Sequence, residues 1–308
     1  MAYLNSTIGT YLPKNILSNE EISERFPEWP AEKILSKIGI SERHIAKGED
    51  ILDMAEKACN DLFAKLNFNK SKVDYLILVT SSPRYALPTS ACILQNLIGL
   101  SNNTGAIDIN LGCSGYVYGV ELANALIESK TKNNILLVTS ETYSKYIDSS
   151  DKGNLSLFGD GSTCTLITSN PLESCWEIGK TQSGTDGSGY EKLIVKDQKL
   201  FMDGKSVFEF TASVVVNELK KFIYNLDQKT PKDFIFHQAN EFMLHYMRKK
   251  LGILENQFLI DFKDKGNTVS STIPFVINSK GVISNETVLA GFGVGLSWSF
   301  CQLKAIKN

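Results

Sequence analysis

Among the residues of this sequence, Cys113 has the surroundings most typical of a reactive thiol. It follows an apolar run at 107–111 that predicts a buried strand, and it precedes an apolar segment at 117–127 that predicts a helix. The free N–H groups and the positive dipole at the start of a helix lower the pKa of a thiol. Gly112 and Gly115 have no side chains that could block a substrate. We therefore expect Cys113 to be a nucleophile with a lowered pKa.

Three histidines could act as the partner of this thiol. His44 lies in a polar segment, where a solvated or packing role is expected, and His245 falls in the middle of a predicted helix. His237 instead ends a predicted strand, and ligand sites of α/β proteins gather at the carboxyl ends of strands. We therefore select His237 as the candidate partner, with a structural histidine satisfied by backbone groups as the alternative.

Two further turns carry polar or glycine-rich sequence. Asn267 precedes a helix predicted from residue 269, and a Gly-Asn pair is by itself common in turns. The segment 291–295 holds three glycines, but a predicted strand follows it, whereas a dinucleotide-binding loop requires a helix there. It is therefore interpreted as a tight turn with exposed N–H groups. A serine-hydrolase role for Ser114 is excluded, because its flanking glycines do not have the spacing of a nucleophile elbow.

The composition is that of an ordinary globular protein of 308 residues, with a net charge of −2 and a pI near 6.0. The lack of a basic excess argues against nucleic-acid binding. No apolar run is long enough to cross a bilayer, and the first residues lack the pattern of a signal peptide. The six cysteines form no CxxC pair and no short spacing with a histidine, so neither zinc nor disulfide bonds are expected. These features favour a cytoplasmic protein without a membrane segment or metal site.

Apolar patterns alternate between strands and helices through most of the chain. This alternation predicts an α/β fold whose mostly parallel sheets are covered by helices. The two halves present their elements in a similar order, and the segments 72–77 and 232–236 resemble each other locally. In the second half, we expect the glycine-rich segment 184–189 to be a surface loop and 205–226 to be a helix.

Four short segments carry the candidate residues. They are Asn-Leu-Gly-Cys-Ser-Gly-Tyr at 110–116, Phe-His-Gln-Ala-Asn at 236–240, Gly-Asn-Thr at 266–268 and Gly-Phe-Gly-Val-Gly-Leu-Ser-Trp at 291–298. In this order and at these separations, they resemble the active-site motifs of the β-ketoacyl-acyl-carrier-protein synthases III. Further matches lie at 39–46 and 158–161, and the resemblance runs from residues 8–13 to the last predicted strand.

The resemblance implies the thiolase-like α/β fold. This fold is a duplicated α-β-α-β-α arrangement with two five-stranded mixed sheets, and its members form homodimers. The N-terminal half would span residues 1–170 and carry Cys113. The C-terminal half would span residues 171–308 and carry His237 and Asn267.

The resemblance also implies roles for these residues. Cys113 would accept the acyl group of a coenzyme A thioester, and His237 with Asn267 would hydrogen-bond the thioester carbonyl of malonyl-acyl-carrier protein. These two donors would stabilise the enolate that forms as carbon dioxide leaves. The backbone N–H groups of Cys113 and Gly293 would form the oxyanion hole. Acyl-coenzyme A and malonyl-acyl-carrier protein would be substrates, and no tightly bound cofactor is implied.

Some candidate substrate-binding residues depart from the family pattern. Lys33 stands where the family generally has a tryptophan that clamps coenzyme A, and Lys37 and Lys152 replace arginines. A lysine retains phosphate contact but loses the planar stacking surface. Leu87 replaces an aromatic residue that in the family reaches into the partner subunit's acyl site. The motifs add three more candidates, Gln238, Asn240 and Phe292.

The predicted function is a decarboxylative condensation that joins an acyl thioester to malonyl-acyl-carrier protein. Its product would be a 3-oxoacyl-acyl-carrier protein in fatty-acid synthesis or a related secondary pathway. One alternative is an acyltransferase of the same fold that uses Cys113 without decarboxylation. Another is a catalytically silent partner subunit, which the joint presence of Cys113, His237 and Asn267 disfavours.

Overall fold

The computed structural model describes residues 1–226, 231–281 and 286–306. In these residues, ten strands form one continuous sheet, and four more strands form two small antiparallel sheets. The strands are β1 Tyr3–Tyr11, β2 Asn15–Ser18, β3 Glu42–Ile45, β4 Tyr75–Val79, β5 Gly105–Ile109, β6 Asn134–Glu141, β7 Gly161–Thr168, β8 Cys175–Thr185, β9 Leu193–Lys196, β10 Lys199–Met202, β11 Asp233–Phe236, β12 Phe258–Leu259, β13 Thr287–Gly293 and β14 Ser297–Ala305. The small sheets pair β2 with β3 and β9 with β10.

Helices connect most of these strands. They are α1 Asn19–Arg25, α2 Ala31–Ile38, α3 Ile51–Leu66, α4 Ser90–Leu97, α5 Gly115–Glu128, α6 Lys152–Leu157, α7 Gly204–Phe210, α8 Val216–Tyr224, α9 Glu241–Leu251 and α10 Thr272–Lys280. A π-helical segment, Thr211–Val215, joins α7 to α8. Among the described residues, none of the helices has the length and apolar character needed to cross a bilayer.

The large sheet consists of two halves with the same internal order. One half runs β1-β7-β6-β4-β5, and the other runs β8-β14-β13-β11-β12. In each half, the penultimate strand, β4 or β11, is parallel to both neighbours, and the other contacts are antiparallel. A short antiparallel contact, centred on Leu4 and Trp176, joins β1 to β8. The two predicted five-stranded mixed sheets are therefore present, but they are joined edge to edge into one ten-stranded sheet.

The helices divide into three layers around the two half-sheets. Buried side chains of α5 and α10 pack together with strands from both halves, so these helices form the central layer. Helices α3 and α4 pack on strands of the first half, and α8 and α9 pack on strands of the second half. The layer order is therefore α-β-α-β-α, which confirms the predicted fold class.

The local echo between 72–77 and 232–236 reflects this duplication. Residues 72–77 include the start of β4, and residues 232–236 include β11. These two strands occupy equivalent positions in the two half-sheets. By the same correspondence, β5 and α5 are equivalent to β12 and α10. The turns that precede the two central helices are therefore equivalent, and one carries Cys113 while the other carries Asn267.

Local sequence explains where several helices begin and end. At the start of α1, Ser18 accepts a hydrogen bond from the Glu21 N–H, and the Glu21 carboxylate accepts one from the Ser18 N–H. Asp50 and Asp53 form the same reciprocal cap at the start of α3. Helix α2 ends at Gly39, whose φ of 81° is a conformation that glycine adopts without strain.

The segment 184–189 departs from its predicted loop structure. Strand β8 continues to Thr185, and Gly184 pairs with Trp298 of β14, so the surface-loop prediction is wrong for its first residues. A Cβ on Gly184 would collide with the Trp298 ring, which explains why glycine occurs inside a strand. The predicted helix at 205–226 is present, but the π-helical segment interrupts its α-helical hydrogen bonding.

Gly9 marks a close approach of β1 to α3 and provides a test of this packing. A Cβ at this position would overlap the Ala58 carbonyl and lie 2.6 Å from the Leu62 Cβ. We expect Gly9→Ala to lower the free energy of unfolding by about 1–3 kcal/mol, measured by urea denaturation, because backbone atoms cannot move aside. The matched control is Gly187→Ala, where the new Cβ would meet nothing within 4 Å. Equal destabilisation by the two variants would contradict this account of the packing.

Candidate active site

Cys113 lies in the turn between β5 and α5, at the carboxyl end of β5. Helix α5 begins at Gly115, so the thiol lies just before the first helical turn, and the residue is only 6% exposed. A Cβ on Gly112 would lie 2.8 Å from the Val294 side chain, and one on Gly115 would collide with Val79. The two glycines therefore permit close packing around the thiol, rather than an open approach from solvent.

Burial, rather than the helix dipole, dominates the ionisation of Cys113. Loss of solvation raises the pKa of the thiol to about 12, and the negative charge of Glu141 acts in the same direction. Backbone hydrogen bonds at Val294 and at Cys113 itself oppose this shift only partly. The prediction of a lowered pKa is therefore wrong, because it neglected burial. At neutral pH, the group at this position is a thiol.

His237 follows the last residue of β11 and is 2% exposed. Its Nδ1 lies 2.8 Å from the Thr272 hydroxyl, and its ring meets the Phe292 ring edge to face at a centroid distance of 5.6 Å. Burial lowers the pKa of His237 to about 3. The imidazole is therefore neutral at physiological pH. It packs against its neighbours and also lines the cavity described below.

The Thr272 hydroxyl is the hydrogen-bond partner of His237 Nδ1. Its hydroxyl has one hydrogen and lies 3.1 Å from the Val269 carbonyl as well as beside Nδ1. If the hydrogen points to Val269, the hydroxyl accepts from a protonated Nδ1. If it points to Nδ1, the proton resides on Nε2, which then can donate to a carbonyl oxygen in the cavity. The Thr272 hydroxyl can therefore pair with either tautomer of His237, and a change of tautomer also moves the ring proton between Nδ1 and Nε2.

Asn267 lies in the turn before α10 and is held from several sides. Its Nδ2 lies 3.5 Å from His237 Nε2 and 3.4 Å from the Ala239 carbonyl. Its Oδ1 accepts a 2.9 Å hydrogen bond from the Val269 N–H, which fixes the amide with Nδ2 towards the histidine. The Asn267 amide and the His237 imidazole therefore present adjacent nitrogen atoms.

Gly293 ends β13 directly against Cys113. A Cβ on Gly293 would lie 2.9 Å from the Cys113 Cβ and 3.1 Å from its Sγ. A cavity of about 80 Å³ brings together Cys113, His237, Asn267 and Gly293. Phe292 and Asn240 also line it. The cavity thus combines a thiol, two side-chain nitrogen groups and a backbone position next to sulfur.

A larger cavity of about 790 Å³ connects this site to the surface. It shares Leu157, Met202, Gly204 and Asn240 with the small cavity, and Lys37 lies on its wall. The larger cavity is therefore positioned as the entrance through which a long substrate could reach Cys113.

The other candidate substrate-binding residues lie outside both cavities. Lys152 forms a 2.6 Å ion pair with Glu28, and the Lys33 ammonium lies 5.1 Å from the centre of the Trp29 ring. Leu87 is 84% exposed at the surface of the single chain. Gln238 is buried, and its amide bridges the Phe236 carbonyl and the Asp261 N–H.

Several residues near the site were not identified from the sequence. Thr272 is an ordinary threonine at the start of a helix, and Met202 and Gly204 reach the cavity from a segment of the chain, β10 to α7, whose strands were not predicted. Glu141 ends β6 as a buried acid, which could have been suspected because a carboxylate after a buried apolar run is unusual. Across the described residues, no group of three His, Cys, Asp or Glu side chains is arranged to hold a metal ion.

Family models match two parts of the chain. The model for 3-oxoacyl-[acyl-carrier-protein (ACP)] synthase III matches residues 107–187, and the model for its C-terminal part matches residues 224–305. A beta-ketoacyl-[acyl-carrier-protein] synthase III from Clostridium tetani is 32% identical over 331 aligned residues, which cover 97% of each chain. The enzyme of the same name from Clostridium acetobutylicum is 32% identical with the same coverage.

Solved structures agree with these matches. A 3-oxoacyl-(acyl-carrier-protein) synthase III superposes with a TM-score of 0.94 and 38% identity, covering 99% of this chain and 100% of the other. The 3-oxoacyl-(acyl-carrier protein) synthase from Burkholderia xenovorans LB400 gives a TM-score of 0.92 and 29% identity, with coverages of 99% and 94%. The priming β-ketosynthase of the R1128 polyketide pathway gives 0.87 and 25%, with coverages of 98% and 96%.

Substitution of Gly293 tests whether the space beside the thiol is required for reaction. Gly293→Ala would place a methyl group 3.1 Å from Cys113 Sγ, at a φ of 152° that an alanine rarely adopts. We expect alkylation of Cys113 by iodoacetamide to slow by about a hundredfold, because small displacements at a reacting atom have effects of that size. Peptide mass spectrometry measures the rate at Cys113 alone. Gly187→Ala serves as the control, and an unchanged rate in Gly293→Ala would contradict the geometry.

Proposed function

The chain belongs to the 3-oxoacyl-[acyl-carrier-protein] synthase III family, and from this membership we propose that it catalyses a decarboxylative condensation. An acyl thioester acylates the enzyme, and the acyl group then joins the two-carbon unit of malonyl-acyl-carrier protein. Carbon dioxide leaves, and a 3-oxoacyl-acyl-carrier protein is formed. The observation that supports this reaction most strongly is the convergence of Cys113, His237 and Asn267 on one cavity with Gly293.

Cys113 is the proposed nucleophile. Its sulfur attacks the thioester carbonyl, and the tetrahedral oxyanion is stabilised by the backbone N–H groups of Cys113 and Gly293. The proximity of Gly293 to Sγ supports this assignment. The intermediate collapses to an acyl-cysteine, and the departing carrier sulfur takes up the proton that Cys113 loses and leaves as a thiol. One difficult condensation thus becomes two simpler acyl transfers.

His237 and Asn267 are the proposed groups that stabilise the enolate. Asn267 Nδ2 and a protonated His237 Nε2 would both donate to the malonyl thioester carbonyl as carbon dioxide leaves. Their separation of 3.5 Å allows both to reach one oxygen. Because His237 is neutral, only one ring nitrogen carries a proton, and the tautomer that donates from Nε2 requires the Thr272 hydroxyl to point to Nδ1.

The larger cavity is the proposed path of the pantetheine arm. Lys37, Asn240 and Phe292 are placed to contact the substrate along this path or at its end. At its mouth, Asp151 and Glu241 lie near Lys37, and Phe242 is 62% exposed. This mixed charge makes the mouth a weak binding surface for the nucleotide phosphates of coenzyme A. Lys33, Lys152 and Gln238 do not line this path, and we propose that they stabilise the segments that form it.

Intact-mass spectrometry with a panel of thioester donors tests the proposed function. Short acyl-coenzyme A thioesters, longer ones and acyl-carrier proteins are each incubated with the enzyme. We expect one acyl mass to be added to the wild type by at least one donor and none to Cys113→Ala. Cys92→Ala, which removes an exposed cysteine, should retain acylation. A wild type that stays unmodified with every donor would refute the proposal.

We also propose that the protein is a cytoplasmic homodimer without a tightly bound cofactor. Within each chain, we propose that the boundary between the two halves lies near residue 170. The N-terminal half, 1–170, supplies Cys113, and the C-terminal half, 171–308, supplies His237 and Asn267. Strand β5 supports dimer formation, because it is an edge of the ten-stranded sheet and carries partly exposed apolar residues. Leu87 is a second apolar group that a partner subunit would cover.

Sedimentation velocity tests the dimer and its surface. We expect wild-type particles of twice the 34.1 kDa chain mass. Leu87→Glu should weaken the dimer by at least about tenfold in dissociation constant, because it would bury an unpaired charge. Tyr224→Glu is a matched control, since Tyr224 is an equally exposed apolar residue on α8, at 89% exposure. A monomeric wild type, or equal weakening by both variants, would contradict the proposed interface.

A further inference from the structure

A third cavity, of about 310 Å³, lies beside the active site and takes no part in the steps above. Its lining comes from β2, α1, the end of β3, the segment 144–147 and the region of α6. Among the residues that the structure describes, it shares only Phe158 with the small catalytic cavity and none with the larger cavity. The buried Phe158 side chain is therefore a wall between this third cavity and the catalytic one.

Most of the lining of the third cavity is apolar. The large apolar residues in it are Ile16, Leu17, Ile45, Ile147, Leu155 and Phe158. Leu17, Ile45 and Leu155 belong to a small hydrophobic cluster around α1 and α2, whereas Ile147 and Phe158 belong to the main core of the second half. The cavity is therefore an apolar gap where two packed clusters meet, and an apolar chain that entered it would be removed from water.

Three cationic residues, Arg25, Lys47 and Lys145, also line the third cavity. Arg25 and Lys47 are exposed, so they lie at its rim, and neither forms an ion pair with another residue of the described ranges. The Lys145 ammonium donates to the Ser82 carbonyl at 2.8 Å and to the Pro83 carbonyl at 3.3 Å. These partners are neutral, so the positive charge of Lys145 is not cancelled by its hydrogen bonds.

Two acids oppose these three cations. Glu21 lines the cavity, and its carboxylate already accepts a 2.9 Å hydrogen bond from the Ser18 N–H. Asp160 is buried behind the lining, where it accepts hydrogen bonds from the Ser144 N–H at 3.0 Å and the Ala46 N–H at 2.8 Å. With both acids ionised, three cations against two acids leave a formal excess of one positive charge. This excess is available at the rim, where the two cations without an ion pair lie.

We propose that the third cavity binds a medium-chain carboxylate such as decanoate. The chain lies along the apolar walls towards Phe158, and the carboxylate lies at the rim beside Arg25 and Lys47. A single negative charge matches the excess of one positive charge, whereas a phosphate ester would bring a second negative charge towards Glu21 and Asp160. The volume is at the lower end of the range of about 300–1,000 Å³ that is typical of ligand sites, which fits a single chain of medium length.

Photo-crosslinking of the intact wild type locates the bound chain. A decanoate analogue that carries a diazirine on its chain is photoactivated with the protein, and peptide mass spectrometry identifies the labelled residues. We expect labels on Ile16, Ile45, Ile147 or Leu155, and excess decanoate should suppress them. Prior alkylation of Cys113 by iodoacetamide, which occupies the catalytic cavity, should leave this labelling unchanged. Labels confined to residues of the catalytic cavity, such as Met202 and Met243, or an absence of saturable labelling would overturn the proposal.

Titration calorimetry with decanoate tests the role of the two rim cations. In the double variant Arg25→Gln with Lys47→Gln, we expect the affinity to fall about tenfold, because two exposed ion pairs with the carboxylate are lost. The matched control is Lys14→Gln with Lys196→Gln, which removes two exposed cations elsewhere and should bind decanoate like the wild type. Decylammonium, which carries the opposite charge on the same chain, should bind the wild type more weakly than decanoate.

Three results of these titrations would overturn the proposal. They are an unchanged affinity in the double variant at the rim, an equal loss of affinity in the control variant, and equal binding of decanoate and decylammonium. Neither the crosslinking nor the calorimetry requires a thioester. A failure of acylation would therefore count against the proposed function and leave the tests of the third cavity intact.

Discussion

The active site depends on the packing of two central helices between two equivalent half-sheets. Helices α5 and α10 bury apolar side chains against strands of both halves, so their positions are determined by the same core. The turns that precede these helices are equivalent in the duplicated fold, and they carry Cys113 and Asn267. Neither half contains a complete site. The chemistry therefore requires the two halves to keep their relative positions at their shared core.

Burial determines the chemistry of the groups that meet there. The thiol of Cys113 and the imidazole of His237 are both neutral, because burial raises the pKa of the first and lowers the pKa of the second. A permanent thiolate-imidazolium pair is therefore not the resting state. Rate enhancement must come from fixed donors directed at charge that develops during reaction, and such donors act strongly where water is excluded. Thr272 and Val269 hold the His237 imidazole and the Asn267 amide in place.

The sequence predicted those features that local patterns and ordered motifs determine. The apolar patterns predicted most strands and helices. The order and spacing of the motifs around Cys113, His237 and Asn267 identified residues that line one cavity. The direction of the pKa shift of Cys113 could not be predicted correctly, because the degree of burial depends on side chains from distant segments, such as Val294. Thr272 and Glu141 were missed for the same reason, since their contacts with His237 and with Ser81 and Ser270 join segments that are distant in the sequence. The extension of β8 into the glycine-rich segment depends on its pairing with β14, which no local pattern records.

The central claim is that Cys113 carries the acyl group while His237 and Asn267 stabilise the enolate. It is tested most directly by mixing isolated acyl-enzyme with malonyl-acyl-carrier protein in a single turnover and quantifying carbon dioxide and product. We expect equal amounts of carbon dioxide and 3-oxoacyl-acyl-carrier protein. In His237→Ala and Asn267→Ala, acyl-enzyme should still form, while carbon dioxide release slows by about 10²–10³-fold. Transfer of the acyl group to the carrier without carbon dioxide release, or undiminished release in both variants, would contradict it.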